Sequence, residues 1–116
     1  MRQFTFAAAL AVVVAALAIP GFVPAATRNN TLIGTDGPGF TITLSKKTVK
    51  AGSYTIRIQD KSNIHNFHLI GPGVNKLTST PRVETKTWTV KLKKGTYKFV
   101  CDPHATTMKG VLRVTS

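Results

Sequence analysis

Residues 88–101 read WTVKLKKGTYKFVC, and this stretch decides the fold. Apolar side chains occupy every second position of 88–92 and again of 97–101, and a Lys-Lys-Gly turn signal separates the two runs. Because successive side chains of a strand point to opposite faces, each run predicts a strand with one buried face. Cys101 shares the parity of the aromatic residues before it, so its sulfur is expected to point inward at the end of a strand.

The same alternation recurs on both sides of this stretch. It appears in residues 40–44, 54–58 and 112–114, with turn signals at 50–52 and 71–73. No segment after residue 27 keeps a helical period, so the fold class is all-β. Short, evenly spaced strands with one apolar face predict a two-sheet antiparallel sandwich.

The chain of 116 residues provides one domain at most, and its N-terminus is typical of an export signal. Arg2 is followed by an apolar run over 4–19, which Pro20 and Gly21 end. We expect a signal peptide over 1–26, or an uncleaved anchor, although the run is shorter than the ~20 residues of a membrane span. The protein is then exported to the periplasm, the extracellular space or the outer face of the cell membrane. Polar, Gly-rich residues 27–39 predict a flexible arm with one short strand at 31–33.

The residues with ligand chemistry converge on one pattern. Cys101, His104 and Met108 follow a strand within eight residues, and His65 lies in a separate segment on the inward parity. Two imidazoles, a thiolate and a thioether are the ligand types of a blue-copper electron-transfer site. His68 is a rival for the first position, but its parity is outward, so it is expected to be a solvated strand residue.

These residues give the chain a family resemblance. The matching pieces are His65-Asn66 followed by an apolar residue, then GTYKFVC over 95–101, then Pro103-His104 and Met108. The chain resembles the cupredoxin family of plastocyanin/azurin-like type 1 blue copper proteins. The resemblance implies a Greek-key β-sandwich of about 6–8 strands over residues 40–116.

By the same resemblance, one type 1 copper ion is bound by four ligands. They are His65, Cys101, His104 and Met108. Asn66 is then the residue that ties the His65 segment to the Cys101 loop. Three residues separate His104 from Met108, whereas the family pattern has two or four, so a backbone carbonyl or water is the alternative axial ligand.

The functional interpretation is an exported, monomeric, mononuclear copper protein that carries one electron between Cu(II) and Cu(I). A copper-binding or copper-delivery module without a redox role is the alternative. An enzyme is not expected, because three His are too few for a second copper centre and one Cys is too few for a dinuclear one. His104 is expected to be the electron port, inside an apolar patch formed by residues 71–74 and 103–105.

The charge indicates what kind of partner the protein meets. With 16 Lys and Arg against 4 Asp and Glu, the formal net charge is +12. Such a charge attracts a redox partner with an acidic docking surface, or an anionic envelope surface. Nucleic acid is not an expected partner, since no motif for it appears and the aromatic residues have the core parity.

Overall fold

The computed structural model describes residues 30–116, which form nine strands in two packed sheets. The strands are β1 (Thr31–Asp36), β2 (Ile42–Leu44), β3 (Thr48–Lys50), β4 (Gly52–Asp60), β5 (His68–Gly71), β6 (Val74–Leu77), β7 (Glu84–Leu92), β8 (Gly95–Val100) and β9 (Lys109–Thr115). A short 3-10 helix covers Asp102–His104. Among these residues no helix is long and apolar enough to cross a bilayer. The predicted signal peptide over 1–26 lies outside the described residues.

The two sheets confirm the sandwich and correct its strand directions. One sheet has the order β2-β1-β4-β7 and the other the order β3-β9-β8-β5-β6. The β1–β4 and β3–β9 pairs are parallel, whereas the remaining ladders are antiparallel. The expectation of purely antiparallel sheets is therefore wrong, and the described residues hold nine strands instead of six to eight.

Strand β1 covers six residues of the flexible arm that was predicted over 27–39. It pairs with β4 along all six of its residues and with β2 on its other edge, and Leu32 is buried in the core. The short strand expected at 31–33 extends to Asp36, past Gly34, where the apolar pattern is interrupted. Gly34 is required there, since a Cβ would lie 2.6 Å from Ile58 and 2.8 Å from Phe67.

The core between the sheets follows the predicted alternation. The inward side chains of the alternating runs are buried, including Ile56, Tyr97, Phe99 and Leu112. Phe67 stacks on Phe99 with ring centroids 5.7 Å apart, which joins the segment before β5 to β8. Burial of such aromatic rings contributes much of the stability of a small core. The rigid core holds the adjacent loops in fixed positions.

Both ends of the sandwich can be assigned from the strand pairing. The carboxyl ends of β1, β4 and β8 lie at one end, with the amino ends of β5, β7 and β9. We call this end the copper pole, because it holds His65 and Cys101, two residues that the family resemblance implies as copper ligands. Strand β4 spans about 27 Å at ~3.4 Å per residue, which sets the distance to the opposite end.

Candidate metal centre

Three ligand-type atoms meet at the copper pole. His65 Nδ1 lies 3.0 Å from His104 Nδ1, and the Cys101 Sγ lies 3.7 Å from the first nitrogen and 3.6 Å from the second. A point in the plane of these three atoms lies about 2.0 Å from each, which is the length of a metal–imidazole bond. The arrangement therefore fits one transition-metal ion.

Local structure places each of these side chains. Cys101 follows β8 with its parity and is fully buried, as the alternation predicted. The chain then turns through the 3-10 helix, where His104 N donates to the Cys101 carbonyl at 3.0 Å, and this turn returns His104 toward the sulfur. His65 precedes β5 and is fully buried, while His104 is half-buried.

The donor set decides which metal the site suits. Two imidazole nitrogens and one thiolate in a trigonal arrangement are the equatorial ligands of blue-copper sites. The Nε2 atom of His65 is buried and has no hydrogen-bond partner among the described residues. His65 turns Nδ1 toward the other two donors, which is the orientation that metal binding through Nδ1 requires.

Met108 lies at the return of the same loop. The Cys101 amide donates to the Met108 carbonyl at 3.0 Å, and the Met108 amide donates to the His104 carbonyl at 2.8 Å. The Met108 side chain is 1% exposed. The loop thus closes on itself and brings the backbone of Met108 beside that of Cys101 despite the unusual spacing.

Asn66 connects the two segments that carry these side chains. Its Nδ2 donates to Asp102 Oδ2 at 2.8 Å, and its Oδ1 accepts from the Asp102 amide at 2.8 Å. Burial alone would raise the pKa of Asp102, but the hydrogen bonds from Asn66 and His68 and the charge of His68 hold that pKa below its ordinary value. Asp102 is a site residue that the sequence analysis missed, although it follows Cys101 directly.

His68 is not the solvated strand residue that was expected. Its side chain is 15% exposed, and Nδ1 lies 2.9 Å from Asp102 Oδ1. Its Nε2 lies 2.6 Å from the Asn75 Oδ1. The parity prediction is correct, since His68 lies on the opposite face from the metal site, but the end of the Cys101 loop covers it. His68 braces the loop and stays outside the metal site.

Phe40 covers the site from the solvent side. The alternation placed Phe40 in the core, yet it is 64% exposed. Its ring meets the His65 and His104 rings edge-on, each with centroids 5.0 Å apart. The Gly-Pro-Gly sequence at 37–39 precedes Phe40, and this turn signal was the indication in the sequence that residue 40 lies outside a regular strand.

The predicted apolar patch requires a correction. Residues 71–74 form the β5–β6 turn, where Tyr97 Oη donates to the Pro72 carbonyl near the start of β8. That is the end of the sandwich opposite His104. The apolar surface at the copper pole comes instead from Phe40, Ile64, Pro103 and Ala105, all of which are exposed.

A pair of buried carboxyl groups lies at the same pole. Asp36 and Asp60 are register partners at the ends of β1 and β4, and their exposed fractions are 0% and 2%. Asp60 accepts hydrogen bonds from the Ser62 amide and the Thr78 hydroxyl. Burial, and after it the adjacent Asp60 carboxyl group, raise the pKa of Asp36 to about 8. One proton is therefore retained by the pair at neutral pH.

The fold and this site define a class: the protein is a β-sandwich protein with a type 1 copper site. Residues 25–115 match the family model described as copper binding proteins, plastocyanin/azurin family. The chain therefore belongs to the plastocyanin/azurin family of copper-binding proteins, and copper is its cofactor.

Solved structures confirm the architecture. Dithionite-reduced auracyanin from Roseiflexus castenholzii is 20% identical with a TM-score of 0.53, over 75% of this chain and 98% of that chain. Reduced rusticyanin is 20% identical with a TM-score of 0.56, over 73% and 78%. A mutant of amicyanin with Cu(I) is 16% identical with a TM-score of 0.51, over 75% and 84%. A comparison with curated protein sequences finds no match.

Proposed function

We propose that the protein is an exported, non-enzymatic carrier of single electrons, with His65, Cys101, His104 and Met108 as its copper ligands. The convergence of two Nδ1 atoms and one Sγ atom within 3.7 Å supports this proposal most directly. Bound copper would supply a Cu(II)/Cu(I) couple that takes one electron from a reduced partner and gives it to an oxidised one.

Buried ligands in a braced frame suit electron transfer, because they favour little geometric change between the two redox states. His65 and Cys101 are fully buried, and two hydrogen bonds between Asn66 and Asp102 lock their segments together. Small geometric change means small reorganisation on electron transfer. The buried Met108 is the axial ligand in this proposal, with a thioether that tunes the potential.

The copper pole is also the proposed contact for the redox partner. Phe40 and His104 present the edge of the site to solvent, and Ile64 extends the apolar surface to one side. Lys61 and Lys109 are exposed at the same end. An apolar centre with a cationic rim favours a partner whose docking surface is apolar with acidic groups around it. The carrier acts as a monomer in this proposal.

Visible and EPR spectra of the copper-loaded chain test the ligand assignment. We expect an intense blue thiolate-to-copper absorption that Cys101→Ser abolishes and Met108→Gln shifts, with a changed reduction potential. His68→Gln is the matched control, because this histidine lies three positions from His65 and outside the proposed ligand set. A colourless copper complex in the wild type, or equal losses in His65→Gln and His68→Gln, contradicts the assignment.

Copper delivery is the alternative function that has to be separated from electron transfer. Both functions use the same ligands, so a kinetic comparison is needed. The copper-loaded chain is mixed first with a soluble redox protein and then with a metal-free copper acceptor. We expect electron exchange within milliseconds to seconds and retention of copper. Transfer of the metal without electron exchange would reject the carrier.

A further inference from the structure

All four acidic residues of the chain lie at the copper pole. Asp36 and Asp60 end their strands and are buried, Glu84 begins β7, and Asp102 follows β8. Glu84 is largely covered, and Asp102 is engaged by Asn66 and His68. With 16 Lys and Arg in the chain, this placement leaves the other end of the sandwich without Asp or Glu side chains.

The opposite end of the sandwich is strongly basic. We define the basic pole as the exposed residues Lys50, Lys91, Lys93, Lys94 and Arg113. They lie where β3 and β7 end and where β8 begins, with Arg113 two residues before the end of β9. Three grooves at this end are lined by Lys or Arg and by no acidic residue. The length of β4, about 27 Å, separates the two ends of the sandwich.

Protection of strand edges accounts for only part of this charge. A single charged residue on an edge strand is enough to discourage edge pairing. Lys93 and Lys94 lie in a turn, where no edge needs protection. Each cation near an anionic lipid surface contributes a roughly fivefold gain in affinity. Several cations at one end therefore give that end a high affinity for an anionic lipid surface.

The described chain also begins at this pole. The Asn30 side chain donates to the Ser53 carbonyl, and its own carbonyl accepts from Thr55 near the start of β4. Asn30 shares a groove with Lys46 and Lys50. The apolar run over 4–19 lies upstream in sequence, so the chain that carries it joins the sandwich at the basic pole.

We propose that the basic pole lies against an anionic membrane surface and turns the copper pole away from it. The position of Asn30 at this end and the positive charge of the basic pole favour a membrane over a protein as the binding partner there. Only the role of the outward copper pole rests on the proposed electron-carrier function. The orientation leaves Phe40 and His104 open to a soluble partner.

Binding of the full chain to lipid vesicles tests the proposal. The measured quantity is a ratio of two partition coefficients, the one for vesicles with about 30% anionic lipid divided by the one for neutral vesicles. The ratio is used because the apolar run over 4–19 contributes to binding to both kinds of vesicle. In one triple variant Lys50, Lys93 and Lys94 become Gln. In a matched variant Lys61, Arg82 and Lys109, at the copper pole, become Gln with the same loss of charge.

We expect the basic-pole variant to lose roughly 100-fold in this ratio and the matched variant less than about threefold. High salt should bring the wild-type ratio close to one. Equal losses in the two variants would mean that net charge alone acts, and would overturn the proposal. The proposal would also be overturned if the basic-pole variant kept the wild-type vesicle ratio but exchanged electrons more slowly with an acidic protein. In that case the basic pole would be the docking surface for the acidic protein.

Urea denaturation of each metal-free variant serves as the folding control. Vesicle binding does not depend on copper, so the two proposals fail separately. A protein that binds vesicles through the basic pole but gives no blue complex leaves the membrane orientation standing and rejects the electron carrier.

Discussion

At the scale of single residues, this protein places aromatic and acidic groups where the strand pattern alone would not put them. Phe40 lies outside the core, with its ring edge-on against both histidine rings. Asp36 enters the core and keeps its proton. In both cases a neighbouring side chain brought in from elsewhere in the sequence determines the role of the residue.

From the position of Phe40 we predict that its ring restricts the access of small molecules to the metal site. Removing the ring in Phe40→Ala opens the solvent side of His104, so azide should change the visible spectrum of the Cu(II)-loaded variant at concentrations roughly tenfold lower than in the wild type. Val83→Ala, which removes an equally exposed apolar side chain, is the control. Identical azide titrations for all three proteins would show that the ring does not shield the site.

Asp36 predicts a pH dependence of stability. The folded state retains the Asp36 proton up to about pH 8, whereas the unfolded chain releases it near 3.8. The folded state therefore binds more protons between these values, and the free energy of unfolding falls as pH rises from about 4 to 8.

The variant Asp36→Asn isolates this effect because the amide does not titrate. Its free energy of unfolding should exceed that of the wild type on the order of 3–5 kcal/mol at pH 8, with a much smaller difference at pH 4. Urea denaturation of the metal-free chains at both values measures it. A difference that does not vary with pH would exclude the retained proton.

At the scale of elements, the site depends on how three segments are joined. The Cys101 loop leaves β8, the His65 segment precedes β5, and the Gly-Pro-Gly turn follows β1. Hydrogen bonds between Asn66 and Asp102 connect the first two. The Thr78 hydroxyl donates to Asp60 and accepts from the Phe67 amide, which fixes the His65 segment on the other sheet.

Loss of the Asn66 connection should weaken the whole domain. Asn66→Ala leaves the Asp102 amide without its acceptor, which costs about 2 kcal/mol of unfolding free energy. Urea denaturation of the metal-free chain measures this loss. Asn63→Ala, at an exposed position in the same segment, should change the free energy by less than about 0.5 kcal/mol. Similar values for the two variants would assign no bracing role to Asn66.

At the scale of the whole molecule, the sandwich separates two surfaces by the length of its strands. One end holds the metal site and every acidic residue, and the other holds the basic pole and the first described residue, Asn30. The three donor atoms of the metal site come from the loop after β8 and from the segment before β5, so metal binding should stabilise the fold as a unit.

Metal removal tests that coupling. At a free metal concentration 100-fold above its dissociation constant, binding to the folded state alone adds about 2.7 kcal/mol to the free energy of unfolding. We therefore expect a clear rise in the thermal midpoint on copper loading and its reversal by a chelator. In Cys101→Ala the rise should nearly vanish. An equal rise in that variant would place the stabilising metal elsewhere.

The sequence by itself determined the features that depend on local order. Period-two alternation identified the buried faces of β4, β7, β8 and β9, and it placed Cys101 inward. The spacing of His104 and Met108 behind Cys101 predicted one loop with ligand chemistry. These features are readable because strand parity and loop spacing are properties of neighbouring residues.

Only the tertiary structure decided which distant segments meet. In the structure β1 pairs in parallel with β4 and so lies inside a sheet, and Asp36 lies beside Asp60. The 71–74 turn lies at the end of the sandwich opposite His104. The tertiary structure also brought Phe40 onto the two imidazoles. The physical reason is that such contacts depend on strand order and direction, which a one-dimensional pattern of apolar and polar residues does not encode.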